Sequence, residues 1–179
     1  VKNAKLVFVV KTIFVQICPS RQIISMQPRQ GAFAELVVIS KVNLVVVPHQ
    51  IDLYQAALTE PIDCGWHAAK LSQRSISIDL ESANALLIGG RAIGVSSTLS
   101  LKANGISDVR ICEPNEIRGN YLTEKCRLLM IHPEELDVNL YFDVVIDEAG
   151  FESSRELASA EVQPGGAIVQ IGLGSAKGG

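Results

Sequence analysis

From Ala83 onward the chain alternates short, unbroken apolar runs with longer stretches in which apolar residues recur at helical spacing. The runs Ala83 to Ile88, Val109 to Cys112, Leu128 to Ile131, Phe142 to Ile146 and Ala167 to Leu173 read as strands. Between them, Ala92 to Asn104, Asn115 to about Lys125 and Glu152 to Val162 read as helices. Gly89-Gly90 closes the first run, Gly105 stands where a helix C-terminus needs a left-handed residue, and Pro164-Gly165-Gly166 reads as a turn before the fifth strand. Strands made of continuous Val, Ile and Leu, with helices between them, predict a parallel sheet covered on both faces. The expected fold class is therefore α/β, a doubly wound parallel sheet.

The first 48 residues carry no helical period. Lys5 to Val10, Thr12 to Ile17, Phe33 to Ser40 and Asn43 to Val47 read as short β segments, with turn signals at Pro19-Ser20 and from Pro28 to Gly31. From Ile51 to Leu71 the pattern changes: Leu53, Ala56 and Ala57, then Gly65, Ala68 and Ala69, recur at helix spacing. Two helices broken at the Glu60-Pro61 step are expected. Ser72 to Ser82 is polar and reads as a connector. The expected organisation is a β-rich piece over 1–48, connecting helices over 49–82 and the α/β domain over 83–179, with the boundary between Val47 and Ile51.

Composition narrows the function. The 179 residues are 47% hydrophobic and 20% charged, ordinary for a globular chain. A net charge of -3, from 16 basic and 19 acidic residues without long runs, leaves no electrostatic footprint for nucleic acid or an anionic membrane. Cys18, Cys64, Cys112 and Cys126 form no CxxC pair, so neither a disulfide framework nor a structural metal site is indicated, and a reducing cytoplasmic setting is expected. The apolar opening from Leu6 to Ile17 is broken by Lys11, too short for a bilayer and without a cleavage site. Val1 and the Gly-rich stub before Gly179 both read as cuts.

The chemistry is expected at Gly89-Gly90-Arg91-Ala92-Ile93-Gly94, where a strand turns into a helix. In a dinucleotide site the first glycine of such an elbow permits the tight turn. The middle one lets the backbone approach a pyrophosphate, and the last lets the helix pack closely on the sheet. Gly89 and Gly94 fill the outer positions, while Arg91 replaces the middle glycine. Its guanidinium could sit beside the pyrophosphate, or its Cβ could obstruct the approach, and the expectation is weakened binding. The second strand ends in Glu113, nineteen residues beyond Gly94, where a carboxylate accepts from adenosine ribose hydroxyls and repels a 2′-phosphate. Arg118 could contact the adenosine side or be a solvated base. A glycine loop with an acid ending the second strand also suits an α/β methyltransferase, a minor alternative.

Arg21 to Arg29, Gly31 to Glu35, Leu58-Thr59-Glu60-Pro61, Gly65-Trp66-His67-Ala68, the elbow and Asp143-Val144-Val145-Ile146-Asp147 stand in fixed order. In that order they resemble the medium-chain zinc-binding dehydrogenases, especially the sorbitol, idonate, threonine and galactitol-phosphate branch. The resemblance runs from about Cys18 to Leu173. It implies a Rossmann domain with five of six strands, in the order 3-2-1-4-5-6, preceded by the remnant of a GroES-like catalytic β domain. It implies NAD-dependent oxidation of a secondary, sugar-like alcohol, with a zinc whose cysteine and His-Glu ligands are not in this chain. Glu60 matches the carboxylate beside the catalytic zinc, or is a helix-end carboxylate; Cys18 matches the last structural-zinc cysteine, a vestige. Ala149-Gly150 and Ile171-Gly172-Leu173 should border the nicotinamide side. The resemblance also implies a homodimer or homotetramer, and an uncovered fifth strand whose apolar edge favours self-association. The rival expectation is a non-catalytic nucleotide-binding fragment or decayed copy. Among the histidines, His67 reads as a packing residue, His49 as part of a turn, and His132 with Glu134 and Glu135 as a loop.

Overall fold

A computed structural model of the chain describes residues 19–136 and 140–173. The chain divides after Val47 into two units, each taken by itself. The described residues of the first unit contain one short 3-10 turn, Lys41–Asn43, and no strand. The segments read as Lys5 to Val10 and Thr12 to Ile17 lie outside the described residues. Those read as strands over Phe33 to Ser40 and Asn43 to Val47 are not formed. A strand exists by pairing, and no described segment pairs with them; Phe33, Leu36, Val38, Val45 and Val46 are exposed.

The second unit runs α1 (Leu53–Ala56), α2 (Thr59–Ser75), β1 (Asn84–Ile88), α3 (Ala92–Ala103), β2 (Asp108–Cys112), α4 (Glu116–Glu124), β3 (Leu129–Ile131), β4 (Phe142–Asp147), α5 (Glu152–Glu161) and β5 (Val162–Gln170). The sheet is wholly parallel, in the order β3-β2-β1-β4-β5. Each strand points its side chains alternately to opposite faces. Ala85 and Leu87 of β1 join Val109, Ile111, Val144 and Ile146 in a core that Ala68, Ala69, Leu101 and Leu122 of the helices cover. Leu86 and Ile88 face the other way, with Cys112, Val145 and Ala158 of α5. The central strands β1 and β4 are thus buried on both faces, as continuous apolar strands require, while Leu129 of β3 and Ile168 of β5 are exposed at the edges.

Local chemistry explains the element ends. Asp52 caps α1, its side chain accepting from Gln55 N at 2.8 Å while Gln55 Oε1 accepts from Asp52 N at 3.3 Å. The expected break at Glu60-Pro61 falls instead at Ala57-Leu58. Pro61 lies in the first turn of α2, where a missing N–H costs no helical bond. The polar stretch from Ser72 begins inside this helix: Ser72 and Ser75 return their hydroxyls to the carbonyls of Ala68 and Leu71, both at 2.9 Å. Gly105, at φ +111°, ends α3: its N–H bonds Lys102 O at 3.1 Å, and Ile106 N–H bonds Leu101 O at 3.2 Å. Helices α2 and α3 touch backbone to backbone at Gly65, where a Cβ would lie 2.5 Å from the Ser96 carbonyl carbon.

The Pro164-Gly165-Gly166 turn is a bulge within β5 rather than a turn ahead of it. Val162 pairs with Phe142 and Ala167 with Val144, so Gln163 to Gly166 stand opposite Asp143 alone, and Gly165 takes φ +85°. Asp143 holds this corner: its carboxylate accepts from Asn84 N at 2.9 Å and from Gln163 Nε2, while its N–H donates to Asn84 Oδ1 at 2.8 Å. Strand β5 stops at Gln170, three residues short of the expected Leu173. Among the described residues no helix is long and apolar enough to cross a membrane.

Candidate cofactor site

Strands β1, β2, β4 and β5 end on one rim, and the candidate residues meet there. After Ile88 the chain turns at Gly89, whose φ of +112° suits only glycine, and enters α3 with Arg91 as its N-cap residue. Gly94 presses on this turn so closely that a Cβ would run into the Gly89 carbonyl oxygen, which is the close helix packing expected of the last glycine. At Gly90 a Cβ would come within 2.8 Å of Leu122 Cδ1 and 3.1 Å of Glu113 Oε2, both side-chain ends that would have to give way. Arg91 and Ala92 are exposed and Ile93 is half-buried. Arg91 keeps a negative φ of -80°, so the turn itself does not demand glycine at that position.

Glu113 follows β2 directly and is buried. Its Oε2 accepts from Gly90 N at 2.9 Å and pairs with Arg118 Nη1 at 2.8 Å, and its Oε1 accepts from Asn115 N at 2.8 Å. Arg118 is carried by α4, which Asn115 caps by accepting from Arg118 N at 2.9 Å. In the structure Arg118 pairs with Glu113, a role that neither expectation for it included. Burial pushes the Glu113 carboxyl up. The hydrogen bond from Arg118, the Asn115 and Gly90 N–H groups and the Arg118 charge outweigh that and hold it below the ordinary carboxylate range. A depressed carboxylate stabilises the fold above its unfolded pKa of about 4.3, and that stability is lost as pH falls through the folded value. Glu113→Gln is expected to cost about 1–3 kcal/mol at neutral pH. It should also flatten the acid limb of stability below about pH 4. Urea midpoints of both proteins from pH 7 to pH 3 check this; equal slopes on the acid limb would contradict it.

At the end of β4 two carboxylates stand in sequence, and neither was among the candidate site residues. Asp147 is fully buried: Oδ1 accepts from Ala149 N and Gly150 N, and Oδ2 from Ser154 Oγ and Gln170 Nε2, all at 3.0 Å. Its carbonyl accepts from Ile171 N at 2.9 Å and Gly172 N at 3.0 Å. This knot brings the two nicotinamide-side candidates together. Gly150, at φ +71°, lies so close to Gly172 that a Cβ would sit 2.7 Å from the Gly172 carbonyl carbon. Leu173 is exposed. Glu148, whose N–H bonds Ile88 O at 3.1 Å, turns its side chain across the elbow, and its Oε1 accepts from Arg91 N at 3.1 Å. Burial pushes the Glu148 carboxyl up and the charge of Glu113 adds to this. The N–H and charge of Arg91, with the Gly94 N–H, offset it only in part. An acid ending a buried strand was a signal for Asp147, as it was for Glu113. No local signal marks Glu148, because its partner lies 57 residues away.

Other candidates stand apart from these contacts. Glu60 is exposed in the first turn of α2 and accepts from Cys64 Sγ at 3.5 Å; Cys18 lies outside the described residues. Among the described residues no group of three or more His, Cys, Asp or Glu could hold a metal ion. His67, expected to pack, is exposed, because it faces away from the stripe of Gly65, Ala68, Ala69 and Ser72 that α2 buries. His49 is exposed. His132 caps a 3-10 turn, Pro133–Glu135, accepting from Glu134 N at 3.4 Å while Glu135 Oε2 accepts from its N–H at 3.1 Å. Cys112 is buried and its thiol is pushed up to about 12 by burial, then by Glu113 and Glu161, which makes it inert.

No family model matches the chain. It is 39% identical over 88 residues to (R,R)-butanediol dehydrogenase of Saccharomyces cerevisiae, covering 49% of this chain and 22% of that protein. It is 30% identical over 147 residues to a second protein of the same yeast, "Probable diacetyl reductase 2", (R)-acetoin forming, covering 78% of this chain and 33% of that one. L-idonate 5-dehydrogenase of Escherichia coli shares the fold at a TM-score of 0.72 and 21% identity, over 84% of this chain and 44% of that one. Two further solved neighbours hold NADP and NADH. The chain therefore spans less than half the length of these relatives. Curated and structural neighbours alike point to the zinc-dependent medium-chain alcohol and polyol dehydrogenases.

Proposed function

We propose, with those dehydrogenases as the premise, that this chain supplies the cofactor-binding half of an NAD-dependent, zinc-type oxidoreductase. The parent passes hydride from a secondary, sugar-like alcohol to NAD, works in the cytoplasm, and assembles as a homodimer or homotetramer. One observation carries the reading. The buried Glu113 carboxylate reaches the Gly90 N–H, which ties the end of β2 to the glycine elbow across the rim where adenosine would lie.

The residues present suit the adenosine half of a dinucleotide. Glu113 would accept from the ribose hydroxyls, with Arg118 orienting it, while the Gly89 to Gly94 elbow lets the ligand approach the backbone. Ala149, Gly150, Ile171, Gly172 and Leu173 would flank the nicotinamide. The bound cofactor would supply the hydride acceptor. The described residues do not suit zinc, since no group of three donors converges; Glu60 would stand beside a zinc held mainly by residues outside this chain. Domain roles follow, with 1–48 a remnant of the catalytic β domain, 49–82 connecting helices and 83–179 the cofactor domain.

NAD is favoured over NADP because a 2′-phosphate would meet the Glu113 carboxylate. Titration of the chain with NADH and NADPH, followed by nicotinamide fluorescence, is expected to give an NADH Kd roughly tenfold lower. Tighter binding of NADPH would overturn the NAD assignment, and binding of S-adenosylmethionine but of neither dinucleotide would overturn the dehydrogenase reading.

A further inference from the structure

The elbow that should receive a pyrophosphate already receives an anion from its own chain. The N-terminus of the twelve-residue α3 presents N–H groups that have no intrahelical acceptor and the positive end of the helix dipole, the features a phosphate uses. Here Glu148 uses them. Its Oε1 accepts from Arg91 N at 3.1 Å, at the position where the elbow pattern expects its middle glycine. Its side chain lies across Gly89 so closely that a Cβ there would be 2.8 Å from both Cγ and Oε1, and one on Gly94 would be 3.3 Å from Cγ. The main chain holds it in place, since Glu148 N–H bonds the carbonyl of Ile88 at the end of β1. The charged groups that face it are Arg91 from the start of α3 and Glu113 from beyond β2. A second carboxylate thus already stands on the ligand side.

The geometry points to Glu148 as an internal stand-in for the cofactor phosphate, an autoinhibitory side chain that sets affinity for any adenine ligand carrying a pyrophosphate. A pyrophosphate cannot share the Arg91 N–H with the Glu148 carboxylate, by volume or by charge. The ligand must therefore expel Glu148 toward solvent before it binds. Adenosine alone, held at the Glu113 end, meets no such competitor. The weakening expected from Arg91 is here reassigned: the Arg91 backbone is well placed, and the obstruction comes from the carboxylate that follows β4. The inference rests on the proposed cofactor reading, and its test separates the two.

The test compares the whole chain with Glu148→Gln, nearly the same size without the charge, and with Glu148→Ala. ADP-ribose and adenosine are titrated calorimetrically into each at neutral pH, and a thermal melt checks each fold. Both variants are expected to bind ADP-ribose about tenfold or more tightly than the unaltered chain, with adenosine unchanged. Equal ADP-ribose affinity in all three proteins would overturn the inference and leave the cofactor reading standing. Equal gains for adenosine and ADP-ribose would also overturn it, since the effect would then be loosening rather than release of an anion site. Binding of neither ligand to any of the three would bring down the cofactor reading and this inference with it.

Discussion

Asp147→Ala is expected to destabilise the α/β unit by about 3–5 kcal/mol. The substitution removes the shared acceptor of Ala149 N–H, Gly150 N–H, Ser154 Oγ and Gln170 Nε2, all of them gathered around a fully buried carboxylate. A buried donor left without an acceptor costs about 1–3 kcal/mol, and water has poor access to replace this one. Asp147→Asn provides a graded control. It can keep the oxygen that serves Ala149 and Gly150, but it turns an amide toward the Gln170 amide, so it should lose about half as much. Urea denaturation of the three proteins reads the order, with the m-value unchanged if the native fold is retained. A loss under about 1 kcal/mol for Asp147→Ala would show that the loops after β4 and β5 are held by other means.

Gly94→Ala is the second large expected effect. Alanine improves helix propensity by about 1 kcal/mol, so the sign of the result decides between propensity and packing. The added Cβ would run into the Gly89 carbonyl oxygen and lie 3.1 Å from its carbonyl carbon, both backbone atoms that no rotamer change can move. Packing should win, with a net loss of about 1–3 kcal/mol and an elbow pushed away from β1. Because the elbow and Glu113 share the Gly90 N–H, the same variant should also lose adenine-ligand binding. A stabilised protein that keeps binding would show that the elbow is looser than its backbone contacts imply. Thermal melting with ADP-ribose titration gives both readouts.

Much of the α/β unit was legible because its signals are local. A fully buried parallel strand must be apolar at every position, as Leu86-Leu87-Ile88 and Val144-Val145-Ile146 are. A helix stop of the kind seen at Gly105 needs a left-handed residue. The elbow and Glu113 were legible for a related reason: a close backbone approach excludes side chains, and a carboxylate ending an apolar strand stands out. Positions whose state depends on neighbours were misread. Phe33 to Ser40 and Asn43 to Val47 carry apolar runs as strands do, yet apolar residues alone cannot supply a partner to pair with. Pro164-Gly165-Gly166 looked like a turn, but the chain keeps pairing with β4 on both sides of it, so the extra residues bulge inside the strand. Pro61 looked like a break and is tolerated in a first turn.

By itself the sequence determined the order of strands and helices, the glycine elbow and the acid at the end of β2, because each follows from one residue and its near neighbours. Tertiary structure decided what the acids do. Asp147 and Glu148 are adjacent in the chain, yet alternation about β4 and the loop that follows send them to different tasks. One is buried as the knot beneath the rim, and the other is laid across the mouth of α3. That difference is set by what the β1 elbow and the ends of β4 and β5 bring within reach, 57 residues away on one side and 23 on the other. Contacts at such separations follow from how the strands are ordered in the sheet, and no stretch of neighbouring residues encodes them.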